Sequence, residues 1–244
     1  GEGKAFCAGG DIRALYEDPD SGPGFFRDEY ELDARVARFA KPYVALVDGI
    51  VMGGGVGVSV HGSHRVIGEK VTFAMPEVGI GLFPDVGARH VLARLPGEAG
   101  TYLGLTGARL KRDAMVWLGI GTHAVLSDRI ADALDRAAHA RDLDGALDEL
   151  GDTPEPWPQE DCDAIARVFA GERVDEIVER AATEGERHGI AAEAAEAMRT
   201  KSPTSMAVTL AALRRAVDED VEETFVTDYR IVRRILSGDA LYEG

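Results

Sequence analysis

The chain has 244 residues, 45% of them hydrophobic and 29% charged, which is the mix of a globular protein with a sizeable core. Asp and Glu total 43 against 27 Lys and Arg, so the net charge is −16 at neutral pH. A surface this acidic repels nucleic acids and anionic membranes, and we exclude both as partners.

Two cysteines, Cys7 and Cys162, lie far apart and outside any metal-binding spacing. We expect two free thiols and a reducing compartment, the cytoplasm. No apolar run is long enough to span a membrane, and no signal peptide is predicted. The chain opens at Gly1 without Met and ends at Tyr242-Glu243-Gly244 without a stop signal. We interpret it as a fragment trimmed at both ends, which leaves a lost mitochondrial transit peptide open.

The first segment that could take part in binding or catalysis covers residues 6–12 and reads Phe-Cys-Ala-Gly-Gly-Asp-Ile. A glycine pair allows a turn with positive φ whose N–H groups point outward, where they can bind an oxyanion. The alternative is a plain loop entering a helix capped by Asp11, and for this segment alone that alternative is favoured.

Short apolar runs after residue 40 predict strands. Tyr43 to Val47, bounded by Pro42 and by Asp48-Gly49, is typical of a buried strand. Residues 65–67 and 71–74 predict two more strands around a turn. Strands that alternate with helical stretches indicate an α/β layer structure.

A triple glycine, residues 53–55, leads into Val56-Gly57-Val58-Ser59-Val60. This stretch has poor helix propensity and can be helical only where it is buried on all sides. In that case Gly54 lies at a helix N-terminus, and its N–H can join one from the Gly10 loop in a two-donor oxyanion hole. The alternative is a tight turn in close helix–sheet contact. The spacing does not fit the G-x-G-x-x-G dinucleotide fingerprint.

Glu77 and Asp85 are the only acids in residues 74–87, which are otherwise apolar, glycine or proline. Such surroundings desolvate a carboxyl and raise its pKa, which suits proton transfer or nucleophilic attack. Glycines and a proline between the two acids allow the chain to fold back and bring them together. The alternative is a pair of turn residues, and the segment alone favours that alternative.

The second half is rich in Ala, Glu, Asp and Arg and poor in strand signals. We therefore predict a core of residues 1–125 and a helical C-terminal region, residues 126–244, that packs on it. Ser127 is predicted to cap one helix, and Ser202 with Pro203 to begin another. The second helix carries an apolar stripe typical of core packing, formed by Met206, Leu210, Leu213 and Val217.

In this order, the glycine and acid segments resemble the crotonase (enoyl-CoA hydratase/isomerase) superfamily. The similarity is strong over residues 1–125, looser beyond them, and greatest to the branch that hydrolyses acyl-CoA thioesters. It implies a ββα spiral core, truncated at its N-terminus, with a mainly helical C-terminal region. The residues that carry it are Phe26-Arg27-Asp28-Glu29-Tyr30, 41–46, 52–57, 59–62, and Met75-Pro76-Glu77 through Phe83-Pro84-Asp85-Val86-Gly87.

The resemblance also implies roles for single residues. The N–H groups of Gly10 and Gly54 would hold the thioester carbonyl oxygen. Glu77 matches the catalytic glutamate, Asp85 the acid that distinguishes the hydrolase branch, and Glu29 a residue that contacts the acyl group.

Coenzyme A would lie along the first glycine loop. The resemblance places the adenine end of the coenzyme beside Ala8, Asp11 and Ile12, and a basic residue near its phosphates at Arg13. Coenzyme A enters only as part of the substrate, and no metal or redox cofactor is implied. A homo-oligomer is compatible with the resemblance, which leaves the oligomeric state open.

One departure from the family separates two reactions. Related hydratases use two glutamates to add water across an enoyl double bond, and one of them would stand at Gly57, which has no side chain. Asp85 stands where many hydratases carry glycine. The exchange implies hydrolysis of a short branched 3-hydroxyacyl-CoA thioester. An enoyl-CoA hydratase or isomerase of the same fold and a non-catalytic acyl-CoA-binding fragment stay open, and His61 is interpreted as a packing residue.

Overall fold

The computed structural model describes residues 3–238. Gly1, Glu2 and residues 239–244, which include both ends where the sequence predicts truncation, lie outside that range. Among residues 3–238 the strands are β1 (Ala5–Cys7), β2 (Val44–Val47), β3 (Ile50–Met52), β4 (His64–Ile67), β5 (Thr72–Ala74) and β6 (His123–Ala124).

Helices make up most of the rest. The helices up to residue 117 are α1 (Ile12–Glu17), α2 (Gly22–Ala37), α3 (Gly54–Val60), α4 (Ala88–Leu92), α5 (Ala99–Thr106) and α6 (Arg112–Trp117). Those that follow β6 are α7 (Ile130–His139), α8 (Leu143–Asp148), α9 (Gln159–Phe169), α10 (Val174–Glu184), α11 (Gly189–Arg199), α12 (Pro203–Ala216) and α13 (Val221–Leu236).

The strands form two parallel sheets, with orders β1-β3-β5 and β2-β4-β6. Successive strands therefore alternate between the sheets, and the chain advances as a spiral. Parallel pairing places the ends of β1, β3 and β5 at one edge, where the loops of the functional site emerge. The predicted α/β fold with a spiral core and a helical second half is confirmed.

Helix α3 forms although its sequence has poor helix propensity. The condition set by the sequence is met, because Gly55, Val56, Gly57, Ser59 and Val60 are all buried. Glycine is required at position 55, since a Cβ there would overlap the carbonyl oxygen of Cys7 in β1. The helix thus lies close enough to β1 to bring its first residues beside the loop that follows that strand.

The C-terminal helices pack on the elements that carry the site. Helix α13 lies along α2, and α12 lies against α4 and α5. One apolar cluster runs through both halves of the chain and includes Phe73, Leu103, Phe169 and Leu213. As predicted, the Ser202 hydroxyl caps α12 by accepting the N–H of Ser205 at 3.2 Å.

Two details of the predicted helices are wrong. Ser127 does not cap α7: it begins a single 3-10 turn, and its hydroxyl donates to Asp48 Oδ1 at 2.8 Å. Asp48, brought close by the tertiary fold, accepts the hydroxyl proton, and the hydroxyl oxygen accepts the N–H of Glu69 at 3.1 Å instead of one from α7. Val217 leaves the apolar stripe of α12, because it follows the last residue of the helix and is 56% exposed.

Two sequence expectations concern the chain as a whole. Cys7 and Cys162 are both free thiols, as predicted. Within residues 3–238, no helix combines the length and the apolar character needed to cross a bilayer.

The close approach of α3 to β1 predicts opposite effects for two Gly→Ala changes. Gly55→Ala forces a methyl group against backbone and lowers the free energy of unfolding by about 2–3 kcal/mol. Gly24→Ala in α2 adds a Cβ that, among the described residues, has no atom outside the local helix backbone within 4 Å, and it raises the free energy of unfolding by about 0.5 kcal/mol through helix propensity. Urea denaturation of both variants checks the pair, and equal effects would contradict the packing described for α3.

Candidate active site

A narrow cavity of about 140 Å³ opens between the loop after β1, helix α2 and the segment after β5. Its lining combines apolar and glycine positions with three carboxyl side chains. The predicted site residues among its lining are Ala8, Gly10, Ile12, Glu29, Gly54, Glu77 and Asp85. Residues 77 and 85 therefore meet in space, as the flexible segment between them suggested.

Asp85 is held in a defined position by Tyr30. The carboxyl is 5% exposed, and the Tyr30 hydroxyl donates to its Oδ2 at 2.5 Å. Burial raises the pKa of Asp85 to about 7, while the Tyr30 hydrogen bond and the charge of Arg89 oppose that rise. Asp85 thus changes charge close to neutral pH.

Glu77 begins a 3-10 turn, Glu77–Gly79, directly after β5. Its Oε2 is buried and has no hydrogen-bond partner in the described part of the chain. Burial raises the pKa of Glu77 well above its ordinary value, and the nearby charge of Asp85 raises it further. A carboxyl in this state is a strong base or nucleophile once it loses its proton.

The two glycine loops touch each other at the cavity wall. A Cβ on Gly9, which has φ +94°, would lie 3.1 Å from the Gly54 nitrogen, and one on Gly10 would lie 2.5 Å from the Phe25 ring. Gly54 is the first residue of α3, so its N–H has no acceptor within the helix. Both loops that carry the predicted oxyanion donors thus line one cavity.

Glu29 reaches the cavity from α2. It is partly buried, and burial raises its pKa to about 7. Its Oε1 lies against the Cα of Gly54, because a Cβ at that position would overlap it. The third carboxyl of the cavity therefore sits beside one of the predicted oxyanion donors.

Two predicted binding residues do not line the cavity. The Asp11 carboxylate accepts the N–H of Ala14 at 3.0 Å and caps α1, which is the alternative weighed from the sequence. Arg13 is exposed, and its Nε donates to Glu17 at 3.0 Å. A role for either residue toward coenzyme A stays a prediction.

The backbone that follows Asp85 is strained. Val86 has φ +51°, which is unusual for a β-branched residue and costs about 1–3 kcal/mol. His61 Nε2 hydrogen-bonds the Val86 carbonyl at 2.8 Å, and the Gly87 N–H donates to Asp228 Oδ2 at 2.9 Å. Burial lowers the pKa of His61 to about 4, so the ring stays neutral and donates its Nε2–H. His61 packs against Phe225, as expected, and also holds this loop.

An ion pair without solvent contact supports the same loop. Arg89 in α4 donates from Nε to Asp228 Oδ1 in α13 at 2.5 Å, and both side chains are 0% exposed. The guanidinium also donates to the Ala212 carbonyl at 2.6 Å and the Thr224 carbonyl at 3.1 Å. Sequence reasoning missed this pair and Tyr30. The sequence did hold one signal. Asp228 follows Thr224 by one helical turn, so a charged residue falls on the same face of the helix as the buried positions.

Removing one partner of this pair should destabilise the protein strongly. Asp228→Ala removes the nearest carboxylate of the buried Arg89 charge, leaves only the longer contact to Glu219 Oε2 at 3.6 Å among the described residues, and should lower the free energy of unfolding by about 3–5 kcal/mol. Asp175→Ala is the control, because Asp175 pairs with Arg173 at the surface. Its carboxylate also accepts the Glu176 N–H in the first turn of α10, so we expect a small fall in its urea midpoint, well below that of Asp228→Ala. Equal midpoints for the two variants would contradict a structural role for the buried pair.

Comparisons with known proteins agree with this architecture. All of residues 1–244 match the family model described as enoyl-CoA hydratase/isomerase. The chain is 42% identical to the mitochondrial 3-hydroxyisobutyryl-CoA hydrolase of Danio rerio, over 99% of this chain and 66% of that protein. The chain thus spans just under two thirds of the length of this curated relative.

Solved structures extend the comparison to the fold. A carnitinyl-CoA dehydratase from Mycobacterium thermoresistibile is 37% identical with a TM-score of 0.92, over 99% of this chain and 72% of the other. An enoyl-CoA hydratase from Rhodobacter sphaeroides is also 37% identical, with a TM-score of 0.82 over 98% of this chain and 71% of the other. Relatives named for two different reactions thus share this architecture.

Proposed function

Because this chain belongs to the enoyl-CoA hydratase/isomerase family, we propose that it hydrolyses the thioester of a short branched 3-hydroxyacyl-CoA. The specific candidate is 3-hydroxyisobutyryl-CoA, converted to 3-hydroxyisobutyrate and coenzyme A in valine breakdown. The observation that carries the proposal is the pairing of buried Glu77 and Asp85 in one cavity with the two glycine loops. The name of the curated hydrolase relative supports the choice of substrate.

The glycine loops supply the electrostatic part of the reaction. As the tetrahedral centre forms, the thioester carbonyl oxygen gains negative charge, which the N–H groups of Gly10 and Gly54 stabilise. These donors are backbone groups fixed by packing, so they need no reorganisation when the charge develops. Loss of one such donor typically costs about 100- to 1000-fold in rate.

Glu77 carries the covalent or proton-transfer step by one of two routes. In the first, its carboxylate attacks the carbonyl carbon, the C–S bond breaks, the thiolate takes a proton, and water then cleaves the mixed anhydride. In the second, Glu77 takes a proton from water as that water attacks the carbonyl carbon; the C–S bond of the tetrahedral centre then breaks, and the thiolate takes the proton back from Glu77. Turnover in ¹⁸O-labelled water separates the routes, since label enters Glu77 only after attack by its carboxylate.

Asp85 orients the reactants. Its Oδ2 is committed to Tyr30, which leaves Oδ1 to bind the 3-hydroxyl group of the substrate or the attacking water. Both roles use a carboxylate that is fixed in place. The same residue adds negative charge close to Glu77, which keeps the pKa of Glu77 high.

Enoyl-CoA hydration is the second candidate function. It is favoured by the solved relatives named dehydratase and hydratase, at 37% identity. Hydration of a double bond uses a second acid that α3 does not supply here, because residue 57 is glycine and its side-chain space is filled by Asp33. We therefore place hydrolysis first.

The cellular setting stays a prediction. Free thiols fit a reducing compartment. The name of the curated relative places that protein in the mitochondrion, which does not support our cytoplasmic expectation. A homo-oligomer likewise stays a prediction.

Substituting the two acids tests the proposal. Glu77→Gln and Asp85→Asn should each lower kcat for thiol release from 3-hydroxyisobutyryl-CoA by about 100- to 10,000-fold, because each removes a carboxylate from the reacting centre. Glu31→Gln, an exposed change on α2, serves as the control and should keep the wild-type rate. Unchanged rates in both acid variants would point to a non-catalytic acyl-CoA-binding fragment.

The charge coupling between the acids predicts a shift in pH dependence. Glu77 works as a carboxylate, so kcat/KM should rise with pH as it loses its proton. Asp85→Asn removes a negative charge that raises the pKa of Glu77, so the rising limb of the residual activity should move to lower pH by about one unit. Thiol-release profiles of both enzymes measure this shift, and a limb that moves upward would contradict the coupling.

A further inference from the structure

Asp33 in α2 is a buried acid that the proposed reaction does not use directly. It lies one helical turn after Glu29 and is 0% exposed. Neither Oδ1 nor Oδ2 has a hydrogen-bond partner in residues 3–238. A carboxylate removed from water without donors is unfavourable, so this group must either gain a partner or keep its proton.

The position of Asp33 is set by the glycines of α3. A Cβ at Gly57 would overlap Asp33 Oδ2 and lie 2.9 Å from its Cγ, just as a Cβ at Gly54 would overlap Glu29 Oε1. Two acids four residues apart on α2 thus fit two glycine notches three residues apart on α3. Glu29 lines the cavity, whereas Asp33 lies in the wall behind it.

Within residues 3–238, three ionisable groups interact with Asp33. Glu29 lies on the same helix, Asp85 follows β5, and Tyr43 precedes β2, while α3 contributes no charged side chain. The pKa of Asp33 is raised to about 8, mainly by burial and then by the charges of Glu29 and Asp85.

These acids differ in what stabilises their charge. Asp85 accepts a hydrogen bond from Tyr30 and feels the positive charge of Arg89. In the described part of the chain, Asp33 has neither a hydrogen-bond donor nor a nearby cation to offset its burial. When like charges this close compete, the group without partners keeps the proton.

We propose that Asp33 is a positioning residue that stays protonated in the notch at Gly57 and so adds no further negative charge beside Asp85. The proposal rests on the proposed hydrolysis, in which Asp85 orients the reactants. A second charge beside Asp85 would repel both the ionised acids and the oxyanion that forms on the substrate.

A retained proton has a definite effect on stability. The unfolded chain loses the Asp33 proton near pH 4, whereas the folded chain keeps it to about pH 8. Folding therefore takes up a proton between these values, and the contribution of Asp33 to stability falls as pH rises through that window. An Asn of the same shape carries no such dependence.

The test compares the 244-residue wild type with Asp33→Asn in thermal melts at pH 5.5 and pH 8, both above the isoelectric point of about 4.8. We expect the Tm advantage of Asp33→Asn to grow by about 5 °C or more between these pH values. Glu31→Gln, exposed on the same helix, should show no such growth. In thiol-release profiles, Asp33 should lose its proton above about pH 8 and lower wild-type kcat/KM, and this alkaline decline should be absent in Asp33→Asn.

Each outcome decides the proposal. A Tm difference that stays constant with pH, or an Asp33→Asn chain that fails to fold, overturns it, because a neutral isostere should replace a neutral acid. An alkaline decline that persists in Asp33→Asn, together with a widening Tm difference, would leave the proton on Asp33 but show that this proton has no effect on catalysis, which overturns the positioning role. Wild type that releases no thiol refutes the proposed function, while the melts still report on Asp33.

Discussion

Arg89 and Asp228 form an ion pair that has no contact with solvent, and the geometry of the site depends on this ion pair. Asp228 accepts from Arg89 through one oxygen and from the Gly87 N–H through the other. The pair thus ties α13, near the end of the chain, to the strained loop that carries Asp85. A positive φ at Val86 persists because hydrogen bonds on both sides of it are fixed by the surrounding helices.

The second constraint is the crowding of acids around this loop. Glu77, Asp85, Glu29 and Asp33 all have raised pKa values, with burial as the main cause in each case. Since these charges repel one another, the donors available to each acid decide which one ionises. Of these four acids, only Asp85 accepts a hydrogen bond from a hydroxyl group within residues 3–238, that of Tyr30. Burial of these four acids lowers the stability of the fold, but it also keeps the Glu77 carboxyl reactive.

The parts of the site that could be predicted from the sequence are those that depend on the residue types within one short segment. Three sequence patterns were enough to name the candidate site residues: the glycine loops, the two acids in an apolar segment, and the order of these segments along the chain. The residues named in this way are Gly10, Gly54, Glu77 and Asp85. The sequence predicted helix α3 only on the condition that the segment is buried on all sides, because its residues have poor helix propensity.

The remainder depended on tertiary contacts that local patterns do not encode. Arg89 and Asp228 are separated by 139 residues, and only the packing of α13 on α4 brings them together. Ser127 was wrongly placed as a cap because Asp48, a distant acceptor, takes its hydroxyl. The Asp11 carboxylate serves the end of α1 instead of the cavity.

The central claim is that this cavity cleaves a thioester and does not hydrate a double bond. The most direct measurement gives one preparation of the chain 3-hydroxyisobutyryl-CoA and crotonyl-CoA in parallel, recording free thiol and loss of the enoyl absorbance. The account predicts rapid thiol release from the first substrate and negligible hydration of the second. Efficient hydration of crotonyl-CoA without free thiol from either substrate would contradict it.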